Sequence, residues 1–528
     1  MQLTDKLRSN FSWFFASLLL FAAVMPFSQA LVSIAGGIML FSSFLDEPIA
    51  NKIDRIKENK LLSLVASVFI IYLLSYLIFK KPESSAYDLQ KSLFFFVIPL
   101  AFMSGKPLTG VQGKILLSVF VIAVFGATII AWFNWFFNRG TADFAVHKIS
   151  LISHIRFSFQ IILVFWILIF TLKKNFYSLS LNKRLAIILA GFYFLFFLFF
   201  QQSLTGMIAF GASIFFYIVY STLLSNTRFS RVLIFIIIIL VLFPVVYLGG
   251  IVIRFYQIEK VDRNNIEWTT LSGNTYSHDF NNPTVENGRF VYLFICDDEL
   301  RTEWNKISKT NYDSVISTGY PLNASLVRYM TSKGLRKDAE GIKSLSEQDI
   351  QNIEKGFTNV IFEKNRFSPY PRIYQTVWEY YMYSKTGDPN YQSFSQRIEF
   401  AKAAITIIKE NPWLGVGAGN WKAEFRKTFE KSNSKLDKEL YASSHNQYLN
   451  YMVKFGIPGF LLIMFLLVFP VIKSKQYTDP LFLVFLVFMF VANLADSNFE
   501  THMGSSFFLF FYCFFITNRN NNYLEFGN

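Results

Sequence analysis

Two cysteines in 528 residues rule out a disulfide framework. Cys296 falls in a polar region and Cys513 in an apolar run, so nothing supports a bond between them, and neither has metal-ligand spacing around it. No internal repeat is visible, so the chain does not read as a solenoid or an array. No Asp-x-Asp pair with surrounding metal ligands accompanies the motifs below, so no metal and no cofactor are expected. The formal charge of +14 could suggest nucleic acid. However, the long polar segment carries 26 Lys and Arg from Arg254 to Lys438 against 24 Asp and Glu through Glu439, a near-neutral balance without the basic footprint of a nucleic-acid binder.

What is abundant is apolar and aromatic. The composition is 53% hydrophobic and 19% aromatic, and 63 phenylalanines exceed what a soluble core uses, which predicts a largely lipid-facing membrane protein. Apolar runs fall at roughly 11–25, 28–45, 61–79, 92–104, 114–136, 153–172, 184–202, 204–224, 231–253, 456–473, 480–494 and 504–518, about twelve spans. Several are shorter than the roughly 20 residues a full crossing prefers. Ser28-Gln29-Ala30 weakly resembles a signal cleavage site, but a further apolar segment follows at once, so the first span is expected to be retained.

The basic residues orient these spans. With a cytoplasmic N-terminus, seventeen fall on the cytoplasmic side: Lys6, Arg8, Lys52, Arg55, Lys57, Lys60, Lys106, Lys114, Lys173, Lys174, Lys183, Arg184, Arg228, Arg231, Lys473, Lys475 and Arg519. Five fall in short loops on the other side: Lys80, Lys81, Lys91, Arg139 and Lys148. That asymmetry is the positive-inside pattern. The expected organisation is an N-terminal membrane bundle (1–253), a periplasmic or exterior loop domain (254–448), C-terminal membrane helices (449–518) and a cytoplasmic tail (519–528). Within the loop, Arg289 to Trp304 reads as a β-like run leading into a helical turn. A helix is expected to start at Ser344 or Ser346 and to continue to about Phe362, and Arg372 to Ser384 reads as an aromatic helix.

The richest stretch runs from Gln396 to Gly459. Ile398, Ala401, Ile405 and Ile408 recur at helical spacing, and the helix should stop at Asn411-Pro412. Gly415, Gly417 and Gly419 then alternate in a loop that can turn tightly and present N–H groups to an anion. His445, beside Asn446, stands just ahead of a segment that enters the membrane, where an imidazole suits proton transfer or anion contact. Taken singly, glycine loops are mostly turns, and a lone histidine near a helix start is more often structural than catalytic.

Taken together they form an ordered signature. Arg397, then Pro412-Trp413-Leu414-Gly415-Val416-Gly417-Ala418-Gly419-Asn420-Trp421, then His445-Asn446-Gln447-Tyr448-Leu449 and Phe455-Gly456-Ile457-Pro458-Gly459 resemble the O-antigen ligase and polymerase superfamily. The resemblance implies an α-helical polytopic membrane protein, GT-C-like, with about twelve transmembrane helices and one large, mostly helical periplasmic loop domain. It implies a bacterial inner-membrane glycosyltransferase acting on a glycan linked to a polyprenyl diphosphate, with lipid A-core or another glycan as acceptor.

Such enzymes hold the diphosphate with separated arginines, one of them in the transmembrane region. Many carry a Ser-Arg pair at the start of a middle span, where this chain has Gln202-Ser203-Leu204-Thr205-Gly206 and no arginine. Arg156 is the substitute in the present reading, since an arginine at membrane depth costs about 2.5–3.5 kcal/mol on insertion scales and its fork matches phosphate oxygens. Snorkelling to the interface is an equal alternative. Arg289 is a further diphosphate candidate. Asp496 and Glu500 resemble the family's late acidic segment, where either could contact acceptor or orient His445, although a solvated loop is the commoner role.

The implied chemistry is metal-independent displacement of a lipid diphosphate, with inversion at the anomeric carbon. Arg397 and Arg156 would meet the leaving charge and His445 the proton. Ligase is favoured over polymerase, and transfer of glycan to protein is also within the family's range. A transporter of the same lipid-linked glycan would call for inverted repeats and broken helices in matching halves, and neither is apparent.

Overall fold

The computed structural model describes residues 12–79, 85–138, 149–224, 228–316, 319–365, 368–518 and 523–525. Lys6, Arg8, Lys80, Lys81, Arg139, Lys148 and Arg519, used above to orient the chain, lie outside the described residues. The protein is mostly helical. A first series runs α1 Trp13–Val24, α2 Gln29–Ser42, α3 Ile49–Glu58, α4 Lys60–Phe79, α5 Ser85–Ser92, α6 Phe94–Ser104, α7 Gly110–Asn138, α8 His154–Asn175, α9 Leu181–Phe200, α10 Leu204–Leu224 and α11 Arg228–Phe255. The polar segment follows, with a two-residue hairpin (β1 Val285–Glu286, β2 Arg289–Phe290) and helices α12 Asp297–Ile307, α13 Leu322–Lys333, α14 Ala339–Lys343, α15 Glu347–Glu354, α16 Ile361–Lys364, α17 Tyr370–Thr386, α18 Ser393–Glu410 and α19 Trp421–Lys431. The chain closes with α20 Gln447–Lys473, α21 Pro480–Ala492 and α22 His502–Thr517.

Among the described residues, six helices are long and apolar enough to cross a membrane: Lys60–Phe79, Gly110–Phe137, His154–Asn175, Leu181–Phe200, Leu204–Leu223 and Gln447–Lys473. Shorter apolar helices occupy Trp13–Val24, Gln29–Ser42, Val245–Phe255, Pro480–Ala492 and His502–Thr517.

Among the described residues, five of the six long apolar helices leave most of their residues unburied, as a largely lipid-facing chain requires, whereas the shorter α22, the most phenylalanine-dense helix, is enclosed. Every residue from Met503 to Ile516 is buried. A helix that is apolar on all sides has no preferred face and belongs in the middle of a bundle. Phe510 stacks on Phe21 with ring centroids 4.8 Å apart, Phe511 meets Phe120 edge-on at 4.7 Å, and Phe508 lies 4.4 Å from Phe499. Many of the phenylalanines are therefore core.

The two ends of the bundle differ in chemistry. At the end where α8 finishes, Lys174 pairs with Glu525 at 3.8 Å, and Asp479 accepts a hydrogen bond from Tyr523. At the end where α8 begins stand Arg156, Asp496 and the polar segment.

The polar segment folds around two apolar clusters. One gathers Phe255, Val285, Trp304, Tyr329, Ile353, Tyr374 and Tyr381. The other gathers Phe400, Ala404, Ile407, Phe425 and Phe429 with Val453 of α20. The helix expected from Ser344 or Ser346 starts with a capping box between Ser346 and Asp349 but stops at Glu354, because Gly356 takes a left-handed conformation (φ +85°). The β-like run after Arg289 amounts to two strand residues. The aromatic helix α17 packs on α11, where Phe255 meets Tyr374 and Tyr381 edge-on. Cys296 and Cys513 are buried and unpaired.

Candidate functional site

The site rests on a joint between two pieces of backbone that each break regular structure. Pro458 in α20 has no N–H, so the carbonyl of Lys454 loses its helical donor. Gly456 (φ +70°, ψ 178°) then takes the chain out of helical geometry. The glycine loop fills the vacancy. Val416 N–H donates to the Val453 carbonyl at 2.8 Å, Gly417 N–H to the Lys454 carbonyl at 3.0 Å, and Ile457 N–H returns to the Pro412 carbonyl at 2.8 Å. A Cβ on Gly456 would sit 2.3 Å from the Trp413 carbonyl oxygen, and one on Gly415 (φ +65°) 2.5 Å from backbone atoms of α20. The two glycine motifs are thus the two sides of one contact.

This corrects the anion-cradle expectation for the loop. Gly415 N–H donates to Asn411, Val416 and Gly417 to α20, and Ala418 to the Ser75 hydroxyl at 2.9 Å. These amides are spent inside the protein, and those of Val416 and Gly417 satisfy carbonyls of the helix broken at Gly456 and Pro458. Gly419, outside the left-handed region, leads into α19. The glycines support the site without forming its anion-binding surface.

The candidate side chains converge instead on the turn between α21 and α22. Asp496 is its centre. One carboxylate oxygen lies 2.8 Å from Nη2 of Arg156, in the first turn of α8. The other lies 3.8 Å from Nδ1 of His445, a charge contact longer than a hydrogen bond. Arg397, on α18, donates from Nη1 to the Ala495 carbonyl at 3.0 Å, and no carboxylate pairs with it among the described residues. Asn446 caps α20 by accepting from Tyr448 and Leu449 N–H, and its amide donates to the Leu494 carbonyl at 3.0 Å. Residues far apart in sequence therefore address three successive positions, 494, 495 and 496.

His445 adopts φ +48°, a left-handed conformation uncommon outside glycine, and its ring lies 5.6 Å from that of Phe400. Its side chain is 42% exposed, whereas those of Arg156 and Asp496 are 13% and 12% exposed. Burial pushes the Asp496 carboxyl up. The facing His445 ring, the Arg156 guanidinium and the Ser497 N–H outweigh burial and hold it below its ordinary value. Asp496 is therefore an anion at neutral pH, facing a guanidinium on one side and an imidazole on the other. Among the described residues, Nε of Arg156 is buried without a hydrogen-bond partner.

The start of α10, where relatives of the resembled family carry an arginine, lies against the same turn of α8. Ser203 donates to the Ser158 hydroxyl at 3.2 Å, and Gln201 to the His154 carbonyl at 3.4 Å. Glu500, the other acidic candidate, instead pairs with Lys454 at 2.9 Å. Around that pair stand Asp88, which accepts from Trp421 Nε1 at 2.8 Å, and Lys91, 3.7 Å from Asp88. Lys454 was missed in the sequence, although a lone lysine in the apolar run Tyr451-Met452-Val453-Lys454-Phe455 is the kind of buried charge that marks a polar interior. Arg289 is placed elsewhere. It pairs with Glu259 at 2.9 Å, packs beside Gly334, and has no hydrogen bond or ion pair to the Asp496 turn among the described residues. Its partner is local, so the hairpin it starts does not bring it to the other arginines.

Residues 347–464 match a family model described as O-antigen ligase. The match includes Arg397, the glycine loop, His445 and Lys454 and ends before Asp496. No curated protein matches the chain.

Proposed function

With an O-antigen ligase domain in the chain as premise, we propose that this multi-pass membrane protein moves a glycan from undecaprenyl diphosphate to lipid A-core, or a similar acceptor, at the periplasmic face of the inner membrane. One arrangement carries the reading. Asp496 faces Arg156 and His445 with its two oxygens, and the unpaired Arg397 is fastened to the neighbouring residue.

A glycosyl diphosphate is already activated, so the protein must meet the departing charge, place the acceptor and remove a proton. Arg397 has no carboxylate partner among the described residues and is the principal diphosphate contact. Arg156, which pairs with the next residue of the same turn, is the second. With Nδ1 turned toward Asp496, Nε2 of His445 is left to accept the proton. The acceptor oxygen bonds to the anomeric carbon as that carbon's bond to the diphosphate oxygen breaks. The electron pair leaves with the diphosphate, and the hydroxyl proton passes to His445. A single displacement inverts the anomeric configuration. Arginine charge takes the part a divalent cation plays in other glycosyl transfers, so the reaction is metal-independent. Asp496 orients and balances the imidazolium that forms.

Transfer by the Arg397→Ala variant is the test. It should be lost while the protein remains inserted, and normal transfer would remove the site. Polymerisation of lipid-linked repeats is the second reading, since the matched family signature spans both activities. A deletion strain separates them. Full-length polymer left on its carrier with bare lipid A-core indicates ligase, and single repeats on lipid A-core indicate polymerase.

A further inference from the structure

The first turns of α20 present one polar face to the 493–500 turn. Asn446, Gln447, Asn450 and Lys454 recur at helical spacing, so they stack along that face. Each grips the turn at a different place. Asn446 donates to the Leu494 carbonyl at 3.0 Å, Gln447 Oε1 accepts from Phe499 N–H at 2.9 Å, Asn450 donates to the Ser497 hydroxyl at 2.7 Å, and Lys454 pairs with Glu500 at 2.9 Å. Asp496 lies inside the span these contacts hold.

The last grip is the strongest by charge. The Lys454 side chain is 2% exposed and that of Glu500 12%. The ammonium also lies 5.1 Å from the Trp421 ring centroid, while the Lys454 carbonyl accepts from Gly417. Through its main chain, Lys454 holds the loop that follows the Arg397 helix. Through its side chain, it holds the turn that carries Asp496. An off-register turn would move the Asp496 carboxylate away from His445 and Arg156, and near-attack geometry tolerates displacements well under 1 Å.

We propose that Lys454 and Glu500 are positioning residues for the transfer reaction, a buried ion pair that sets the register of the Asp496 turn against His445 and the Arg397 helix. The assignment rests on the Asp496-centred reading of the site. Both side chains are spent on each other, so in this proposal their removal acts on turnover and leaves donor affinity in place.

The experiment measures transfer of a lipid-diphosphate-linked glycan by purified full-length protein in lipid, with kcat and donor KM separated. Glu500→Gln is expected to lower kcat about tenfold or more with donor KM within about twofold, and Glu500→Asp to restore most of the rate. In the Asp496→Asn background, Glu500→Gln should cost nothing further, because an effect that travels through Asp496 vanishes once Asp496 is neutral. Because breaking a buried pair on one side can impair folding, Lys454→Met combined with Glu500→Leu replaces both charges with apolar volume, a change such sites often tolerate. That double variant should insert normally and show the same fall in kcat. Wild-type kcat in either the Glu500→Gln or the double variant, or a loss that adds to that of Asp496→Asn, overturns the proposal. Retention of transfer by Arg397→Ala and His445→Ala would instead overturn the site itself. Their inactivity beside a fully active Glu500→Gln would overturn the positioning role alone.

Discussion

Replacing Asp496 with Asn removes one charge and little else. The amide keeps the size of the carboxyl and an oxygen for the Ser497 N–H, 2.8 Å away in the wild type. What disappears is the anion, 2.8 Å from Arg156 and 3.8 Å from His445, and the second contact is the one that bears on proton removal. Two unit charges about 4 Å apart interact by about 4 kcal/mol at an effective dielectric near 20. With the His445 side chain 42% exposed, solvent screening cuts that to about 2 kcal/mol. If that contact stabilises the imidazolium formed as the acceptor loses its proton, kcat falls about thirtyfold. Donor KM should not rise, because Arg156 loses only its internal partner and stays available to the diphosphate. Steady-state transfer in lipid, with both parameters resolved, is the assay.

A carboxyl held below its ordinary value contributes stability that is present above the unfolded value, near about 4, and that is lost as pH falls through the folded value. The wild-type thermal midpoint should therefore be insensitive to this group from about pH 5 to 8 and should lose its contribution only in acid. The Asn variant should lack that acid-side loss. Unchanged kcat, or a loss that appears entirely in donor KM, refutes the dyad.

Gly456→Ala places a Cβ 2.3 Å from the Trp413 carbonyl oxygen at a residue whose φ of +70° and ψ of 178° are essentially confined to glycine, a conformation that alone costs about 1–3 kcal/mol. The joint with the glycine loop should open and transfer should fall strongly although Arg397 and His445 are intact, and a fully active variant would show that the joint is dispensable. A reporter fused near Lys343 should register outside the cytoplasm, and a cytoplasmic signal would reverse the proposed topology.

Local chemistry was legible in the chain itself. The end of α18 at Glu410 follows from Asn411-Pro412, the start of α15 from Ser346 and Asp349, and the long apolar helices from composition, because each depends on neighbours within a few turns. Arg397, His445 and the two glycine motifs were readable as an ordered pattern that lies within the matched segment. Their geometry was not. Two loop amides that read as free to hold an anion are consumed by the carbonyls of Val453 and Lys454, left open where α20 breaks at Gly456 and Pro458 some forty residues later, and no local rule announces that partnership. The phenylalanines of α22 fill the centre of the bundle while Phe192, Phe196 and Phe199 of α9 face outward, since hydropathy reports aversion to water and does not distinguish lipid from protein. Among the acidic candidates, only packing decided that Asp496 meets Arg156 and His445 while Glu500 meets Lys454. Two carboxylates four residues apart look alike as sequence, and ion-pair choice is a property of the surfaces that tertiary structure brings within a few ångströms.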